Sequence, residues 1–598
     1  MLPSRSVTPW FVLVCLTLGV RAAFSTEAAV QVRGGPQDIA EYLSRSSLTV
    51  ETADSEDATA QDILAAARAD YARMVGALYD AGFYGGVVSI RVDGREASDI
   101  SPIAGPNRIN RVDVIVQPGP PFTFSRAAIG PVAPETELPE GYARGQPAAA
   151  TVISDAAEAG VTGWREAGHA KVELSGQSIT ADHRNATLAS DIRLSPGPRL
   201  RFGDLVITRP SAVRANRIRA IAGLPSGKVF SPEELEDASQ RLRRTGAFRS
   251  VVLNEAAVPN PDGTLDIQAE VLDAKPRRIG FGAEIASLEG LTLSGFWLHR
   301  NLLGGAERFR IEGEVGGIGG DSGGIDYRLS ARFERPATFT PDTTAFLEAR
   351  IEELDEEEYR QTTFEIGGGV SHIFSDELEG ELGIAYQYAE IDDDLGSRTN
   401  QLLLLPGKLT FDNRDDALNA TEGFYVGLEA TPFLALDAGD PAFRLYADAR
   451  TYVGFGENDT IVLAGRTQLG SVTGASLLDV PPDMLFFSGG SNTVRGQPYQ
   501  SLGVDLGGGN TSGGRSFLAV SGELRARVAD SWQVVGFADT GYVGRDSFGS
   551  GTGDWHSGAG FGVRYDTGIG PIRFDVATPL DGDAGQDYEF YIGIGQAF

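Results

Sequence analysis

Few residues of this chain have the types and spacing that chemistry needs. Gly320-Asp321-Ser322-Gly323-Gly324 reads as a serine-nucleophile signature and also fits G-x-S-x-G. Its setting is a glycine-rich turn between strand-like runs at Val315 and Ile325. There is no strand-to-helix elbow and no upstream histidine in a suitable setting, so nucleophilic catalysis is not expected. The five histidines, at 169, 183, 299, 372 and 556, show no metal-ligand spacing. The acidic runs Glu352 to Glu358 and Asp392 to Asp394 lack the oxygen pattern of a calcium loop and read as solvated loops or strand rims. Gly507-Gly508-Gly509 precedes a turn and a strand, with no helix to hold a phosphate, and Walker and dinucleotide patterns are absent. No enzyme activity, cofactor or metal is expected.

One arginine remains. Val480 to Gly503 reads VPPDMLFFSGGSNTVRGQPYQSLG. Pro481-Pro482, Gly489-Gly490 and Pro498 exclude a helix or an interior strand, yet Phe486, Phe487, Val494 and Tyr499 gain nothing from exposure. This composition predicts a loop folded inward, with Arg495, between Val494 and Gly496, docked on a buried acidic partner.

The elements that must position this loop come in two halves. At 598 residues more than one domain is expected, and a net charge of −31 argues against a nucleic-acid partner. Arg5, an apolar run from Trp10 to Val20, then Ala22 and Ala23 have the layout of a secretory signal peptide, assigned to residues 1–24. Cys15, the single cysteine, lies within it, and Val14 makes a lipoprotein site at Cys15 a poor fit. A mature chain without disulfides fits a bacterial envelope. No run is long and apolar enough for a transmembrane helix, which leaves a strand-built membrane domain open.

Between residue 25 and residue 276 the chain repeats with a period of about 80 residues. Each unit has a helix stop at a glycine followed by a small or aromatic residue, at Gly82-Phe83, Gly168-His169 and Gly246-Ala247-Phe248. Strands are predicted at Val87 to Val92 with Val112 to Val116, at Lys171 to Leu174 with Ala186 to Leu194, and at Ser250 to Leu253 with Leu265 to Leu272. Pro118-Gly119-Pro120 and Pro196-Gly197-Pro198 close the first two units, and Ser231-Pro232-Glu233-Glu234 starts a helix in the third. A strand, two helices and two strands per unit make a small α+β module with an exposed sheet edge. The modules, at 25–118, 119–198 and 199–276, resemble POTRA domains. The resemblance implies a periplasmic arm that binds extended polypeptide by strand addition.

From 277 to 598 short strands alternate apolar and charged residues. Ile325, Tyr327, Leu329, Ala331 and Phe333 share one face, with Asp326, Arg328, Ser330, Arg332 and Glu334 opposite. Leu518 to Val528 sets Leu518, Val520, Leu524 and Val528 against Ser521, Glu523, Arg525 and Arg527. Many such strands after a signal peptide predict an all-β transmembrane antiparallel barrel in the outer membrane, with lipid on its apolar face. The length suits sixteen strands at about twenty residues per strand and turn. The chain stops on a strand-like run in which Phe590, Ile592, Ile594 and Phe598 resemble the C-terminal signal of bacterial outer-membrane barrels.

Repeats, barrel and Val494-Arg495-Gly496 together resemble the BamA/TamA superfamily, closest to its TamA branch. Further matches are FDNRDDALNATEGF (Phe411 to Phe424), Gly536 to Gly541, Gly558 to Leu580 and FYIGIGQAF; Gln497 departs from the family's aromatic. The resemblance implies that Arg495 of the sixth loop pairs with Glu523 and Asp539 inside the barrel. Alternation independently puts Glu523 on a charged face, whereas Asp539 shares its face with Phe537, so its inward placement rests on the resemblance. It further implies insertion or secretion of client β-barrel or autotransporter-type proteins, and a TamB-like periplasmic partner. Gly280 and Gly282 in the first strand and Gly593 and Gly595 in the last weaken a seam at which the barrel would open. The rival expectation is a pore plugged by the loop, as in two-partner secretion.

Overall fold

The computed structural model describes residues 26–598 apart from 56, 103, 104, 288, 322, 394, 395, 438, 457, 458, 509, 550, 569 and 582–587. The expected signal peptide with Cys15, and Ser322, Asp394 and Gly509 of the motifs above, lie outside the described residues.

The chain forms two compact units. One comprises the residues up to Phe202 with Gly227–Pro232 and Pro259–Thr264, and the other comprises Gly203–Ser226, Glu233–Val258 and Leu265–Phe598. In the first, strands Glu27–Val32, Arg111–Gln117, Val87–Val92 and Arg95–Glu96 make a sheet in that order. Helices Gln37–Arg45, Leu48–Asp54 and Ala60–Asp80 cover it, with Leu43, Leu64, Met74 and Leu78 packed on Ile90, Val112, Val114 and Val116. The long helix begins in a reciprocal capping box between Thr59 and Asp62. Its stop at Gly82 takes φ +84, and the equivalent Gly168 and Gly246 take +95 and +66.

The second repeat departs from the expected two helices. Its sheet, Thr123–Gly130, Thr187–Ser195 and Glu173–Asp182, carries the single helix Ala150–Glu166. Pro131, Pro134, Pro139 and Pro147 punctuate the segment where a first helix would run and deny it backbone donors. The strand expected at 171–174 begins two residues later and runs on to Asp182.

The third repeat has strands Arg201–Ile207, Thr264–Asp273 and Phe248–Glu255 with helices Ala215–Ala222 and Pro232–Arg244. Its arginines grip turns of the following sheet. The backbone N–H of Arg214 donates to the Gly304 carbonyl at 2.8 Å, Arg241 Nε reaches Asp342 Oδ1 at 3.0 Å and Arg244 Nη2 reaches the same oxygen at 2.6 Å.

That sheet is a closed, antiparallel, transmembrane barrel. We number its strands β1 (Arg277–Ala286), β2 (Gly290–His299), β3 (Arg308–Ile318), β4 (Asp326–Arg335), β5 (Thr343–Asp355), β6 (Tyr359–Ile373) and β7 (Leu378–Asp393). Next comes β8, in two parts, Gly396–Leu404 and Gly407–Asp412, which both pair with the strands on either side and are broken at Pro406. The remainder are β9 (Gly423–Ala435), β10 (Pro441–Phe455), β11 (Ile461–Thr473), β12 (Ser516–Ala529), β13 (Trp532–Gly544), β14 (Gly553–Tyr565), β15 (Ile572–Pro579) and β16 (Glu589–Ile594). Alternation sorts their side chains. Leu329, Leu347 and Leu382 face outward, while Arg332 on the other face reaches Glu348 at 2.8 Å and Glu381 at 2.7 Å.

Candidate functional site

The 474–515 connection between β11 and β12 folds into the barrel. The strand ends at Thr473, where Gly474 takes φ +96, and Pro481 and Pro482 then start a short turn at Pro482–Met484. Val480, Met484, Leu485 and Phe486 then join the inward-facing Leu402, Phe433, Val472, Phe517 and Val543 in one apolar cluster. The Phe486 ring stacks on Phe517, with centroids 5.6 Å apart. Gly489 and Gly490, at φ +117 and +88, turn the chain towards Val494. Gly496 has φ +90, and a Cβ there would lie 2.7 Å from the Thr578 backbone, so only glycine fits.

Val494 is fully buried, and Arg495 beside it is 2% exposed. Asp539 on β13 accepts from Arg495 Nε at 2.8 Å, Nη2 at 2.9 Å and the backbone N–H at 3.1 Å. Glu523 on β12 accepts from Nη1 at 2.6 Å, and Asp575 on β15 stands 3.8 Å from the same nitrogen. Two wall arginines complete the cluster. Arg525 donates to Glu523 at 2.9 Å, and Arg564 on β14 donates to Asp575 at 2.5 Å. Three guanidiniums thus meet three carboxylates with water excluded, a balance that the cost of burying charge demands.

Three features of this seat escape sequence reasoning. Phe537, which made the inward placement of Asp539 ambiguous, faces inward too, and its ring centre lies 3.6 Å from the Arg495 guanidinium carbon, a cation–π platform. The wall under the loop is lined with glycine: a Cβ on Gly558 would lie 2.0 Å from the Arg495 carbonyl oxygen, and one on Gly541 would lie 2.8 Å from Val494. The Tyr591 hydroxyl on β16 accepts the Gly496 N–H at 3.0 Å, a contact foreshadowed only by the tyrosine's place in the last strand. Gln497, where the family resemblance expects an aromatic, is also buried and donates to the Ser557 carbonyl at 2.8 Å.

The loop also reaches the outer hairpins. Ser491 donates through its N–H to Glu289, in the β1–β2 turn, at 2.9 Å, and Tyr499 donates to Glu356, in the β5–β6 turn, at 3.2 Å. Loop 474–515 therefore touches both sides of the junction where the barrel closes. Glu289, Asp326, Asp355 and Glu356 border a cavity of about 330 Å³ there. Burial, and then the Asp326 charge, push the Glu356 carboxyl up to about 8. The acidic run starts on the end of β5, one of the two settings expected for it, but it is not solvated throughout. Glu352 in that run is 3% exposed, because Arg328 and Arg350 draw it inward.

At the closing junction only Ile285↔Ile592 and Ala286↔Tyr591 pair among the described residues, against six such pairs between β15 and β16. Ser287 and Phe590 add hydrogen bonds at the outer end, and Arg573 bridges to Glu284 at 2.5 Å. Among the described residues, no strand pairs with the rest of β1 on that side, and Phe281 on it is 88% exposed. The seam glycines do not face one another. Gly280 and Gly282 lie opposite Phe296 and Ser294 of β2, and Gly593 lies opposite Arg573 of β15. The C-terminal pattern is also broken. Phe590, Ile592 and Ile594 face outward, but β16 ends at Ile594, Gly595 takes φ +96, and Phe598 is 8% exposed in an internal cluster with Ala420 and Tyr452.

Comparison with known proteins matches this architecture. The crystal structure of BamA from Haemophilus ducreyi lacking POTRA domains 1-3 superposes with a TM-score of 0.63 at 17% identity, covering 79% of this chain and 100% of that one. CdiB from Acinetobacter baumannii superposes with a TM-score of 0.51 at 10% identity, covering 80% of this chain and 90% of that one. At these identities both likenesses speak for the fold. The model of the Omp85 superfamily domain matches residues 301–598, a stretch that runs from the β2–β3 turn through β16 and contains the docked loop and its charged seat.

Proposed function

We propose that the protein is an outer-membrane assembly or translocation factor that passes client β-barrel or autotransporter-type proteins through the seam between β1 and β16. The repeats would lie in the periplasm and hold clients or a TamB-like partner by strand addition, in keeping with the resemblance to the TamA branch. The observation that carries the reading is the seam itself. Two residue pairs close it, and the exposed remainder of β1 presents unpaired N–H and C=O groups, which a protein tolerates at a sheet edge only when the edge is protected or used. Within this reading Val494, Arg495 and Gly496 act as a latch on Glu523 and Asp539, holding the loop while the seam is shut.

Ile285 and Ile592 are direct partners across the seam, unlike Gly280 and Gly593, so a cysteine pair at these two positions makes the lock. Client assembly in reconstituted membranes is expected to fall about tenfold or more on oxidation and to recover on reduction, since the unlocked ladder is short. Equal assembly by the oxidised and reduced protein overturns the lateral route. Free ion conduction with the lock closed favours the rival reading, a pore from which the loop withdraws.

A further inference from the structure

Beyond Ile594 the chain does not continue along the barrel wall. Gly595 turns it inward, with its N–H on the Pro571 carbonyl at 2.7 Å, and the Gln596 N–H reaches the Leu418 carbonyl at 3.2 Å. Residues 595–598 are then held by the two wall arginines of the charged cluster. Arg564 Nε donates to Gln596 Oε1 at 2.9 Å, and Arg525 Nη2 donates to the Phe598 backbone oxygen at 3.2 Å, with its guanidinium carbon 5.6 Å from the Phe598 ring centre. Each arginine shares a carboxylate with Arg495. Glu523 takes Arg495 on Oε1 and Arg525 on Oε2, while Asp575 takes Arg564 on Oδ1 and stands near Arg495 through Oδ2.

We propose that Arg525 and Arg564 are positioning residues that couple docking of the loop to docking of residues 595–598 at the end of the strand bordering the seam. The argument is one of charge. When Arg495 leaves, three buried carboxylates face two guanidiniums, and the uncompensated charge draws Arg525 and Arg564 towards the vacated oxygens and off the tail. Conversely, a tail that holds the two arginines in place keeps the seat preorganised for the loop. The significance of this coupling rests on the reading that the seam beside β16 opens, but the coupling itself is measurable without a client.

Ala597 packs against the Phe598 cluster and makes none of the relay bonds. In the full chain with Cys15→Ser, an Ala597→Cys reporter is labelled with a water-soluble maleimide. Arg495→Gln is expected to speed labelling about fivefold or more, although Arg495 does not touch the tail. Asp539→Asn, which weakens the loop's seat and leaves both wall arginines intact, is expected to act in the same direction and serves if Arg495→Gln does not fold, as judged by heat-modifiable migration. In an Arg525→Gln/Arg564→Gln background labelling is expected to be fast from the start and indifferent to Arg495, a non-additivity that a merely structural role would not produce. Unchanged labelling in the folded latch variants, or acceleration that persists without the two arginines, overturns the proposal. Failure of the Ile285/Ile592 lock to affect client assembly would instead count against the seam reading and leave the labelling result standing.

Discussion

Two junctions of the same barrel differ sharply in how they are built. β12 and β13 pair from Ser516↔Gly544 to Ala529↔Trp532, thirteen residue pairs, and carry Glu523, Phe537 and Asp539 on their inner face. β1 and β16 pair over two. A buried charged cluster needs walls that do not yield, because a small displacement leaves desolvated charge unpaired. A seam that is to part must hold little that is costly to break. The latch is fastened to the long ladder, with the Tyr591 hydroxyl its bond to the strand at the seam.

The most disruptive change on the strong side is Arg495→Glu. It puts a fourth carboxylate among three and is expected to destabilise the barrel by about 3 kcal/mol or more, or to block assembly, read as loss of heat-modifiable migration. Adding Asp539→Arg should recover more than adding Glu523→Arg, since Glu523 also holds Arg525 whereas the bonds to Asp539 come from Arg495. Recovery by the Glu523 swap alone would show that the two seats are not distinguished. Next comes Gly558→Ala, whose methyl meets the Arg495 carbonyl oxygen. A cost of about 1–3 kcal/mol in urea unfolding is expected, confined to the loop if protease reaches 490–500 first. Phe537→Leu keeps an apolar side chain and loses the ring face, for about 0.5–2 kcal/mol. A neutral Phe537→Leu would mean that the carboxylates alone hold the guanidinium.

The smallest effect belongs to the outer attachment. The Glu356 carboxyl is raised from 4.5 to about 8, so the docked state binds the proton more tightly than the undocked one. Its contribution is full below pH 4.5 and is lost as pH rises through about 8. Hydrogen exchange at residues 497–503 should speed up across that window, and Glu356→Gln should flatten the profile. A profile unchanged by Glu356→Gln would place the titration elsewhere.

Much of this was legible in the sequence, and the failures have causes. Period-two alternation put Glu523 and Arg525 on one face because Leu518, Val520 and Leu524 opposite them are plainly apolar. On β13 the same count stalled at Phe537, since an aromatic facing lipid and one lying under a guanidinium look alike in a string of letters. The turn at Gly595 was hidden by a strand-like alternation that runs to Phe598, and only the left-handed φ reveals where it ends. Glycines at 541 and 558 read as barrel composition, although their function is to leave room for another segment. The loop's apolar residues were informative because they contradicted their prolines.

The third repeat's hold on the barrel has a mechanical consequence. Gly304, gripped through the Arg214 N–H, lies in the turn joining β2 to β3, and Asp342, taken by Arg241 and Arg244, lies in the turn joining β4 to β5. Both turns belong to the half of the barrel that begins at the seam, while the charged cluster ties the loop to β12 through β15, in the half that ends there. A torque on the third repeat is therefore delivered to the lip at β1, while a displacement of the loop acts on both lips, through Tyr591 on β16 and Glu289 in the β1–β2 turn. The two handles meet at the β1 lip, so a pull on either one loads the same short ladder.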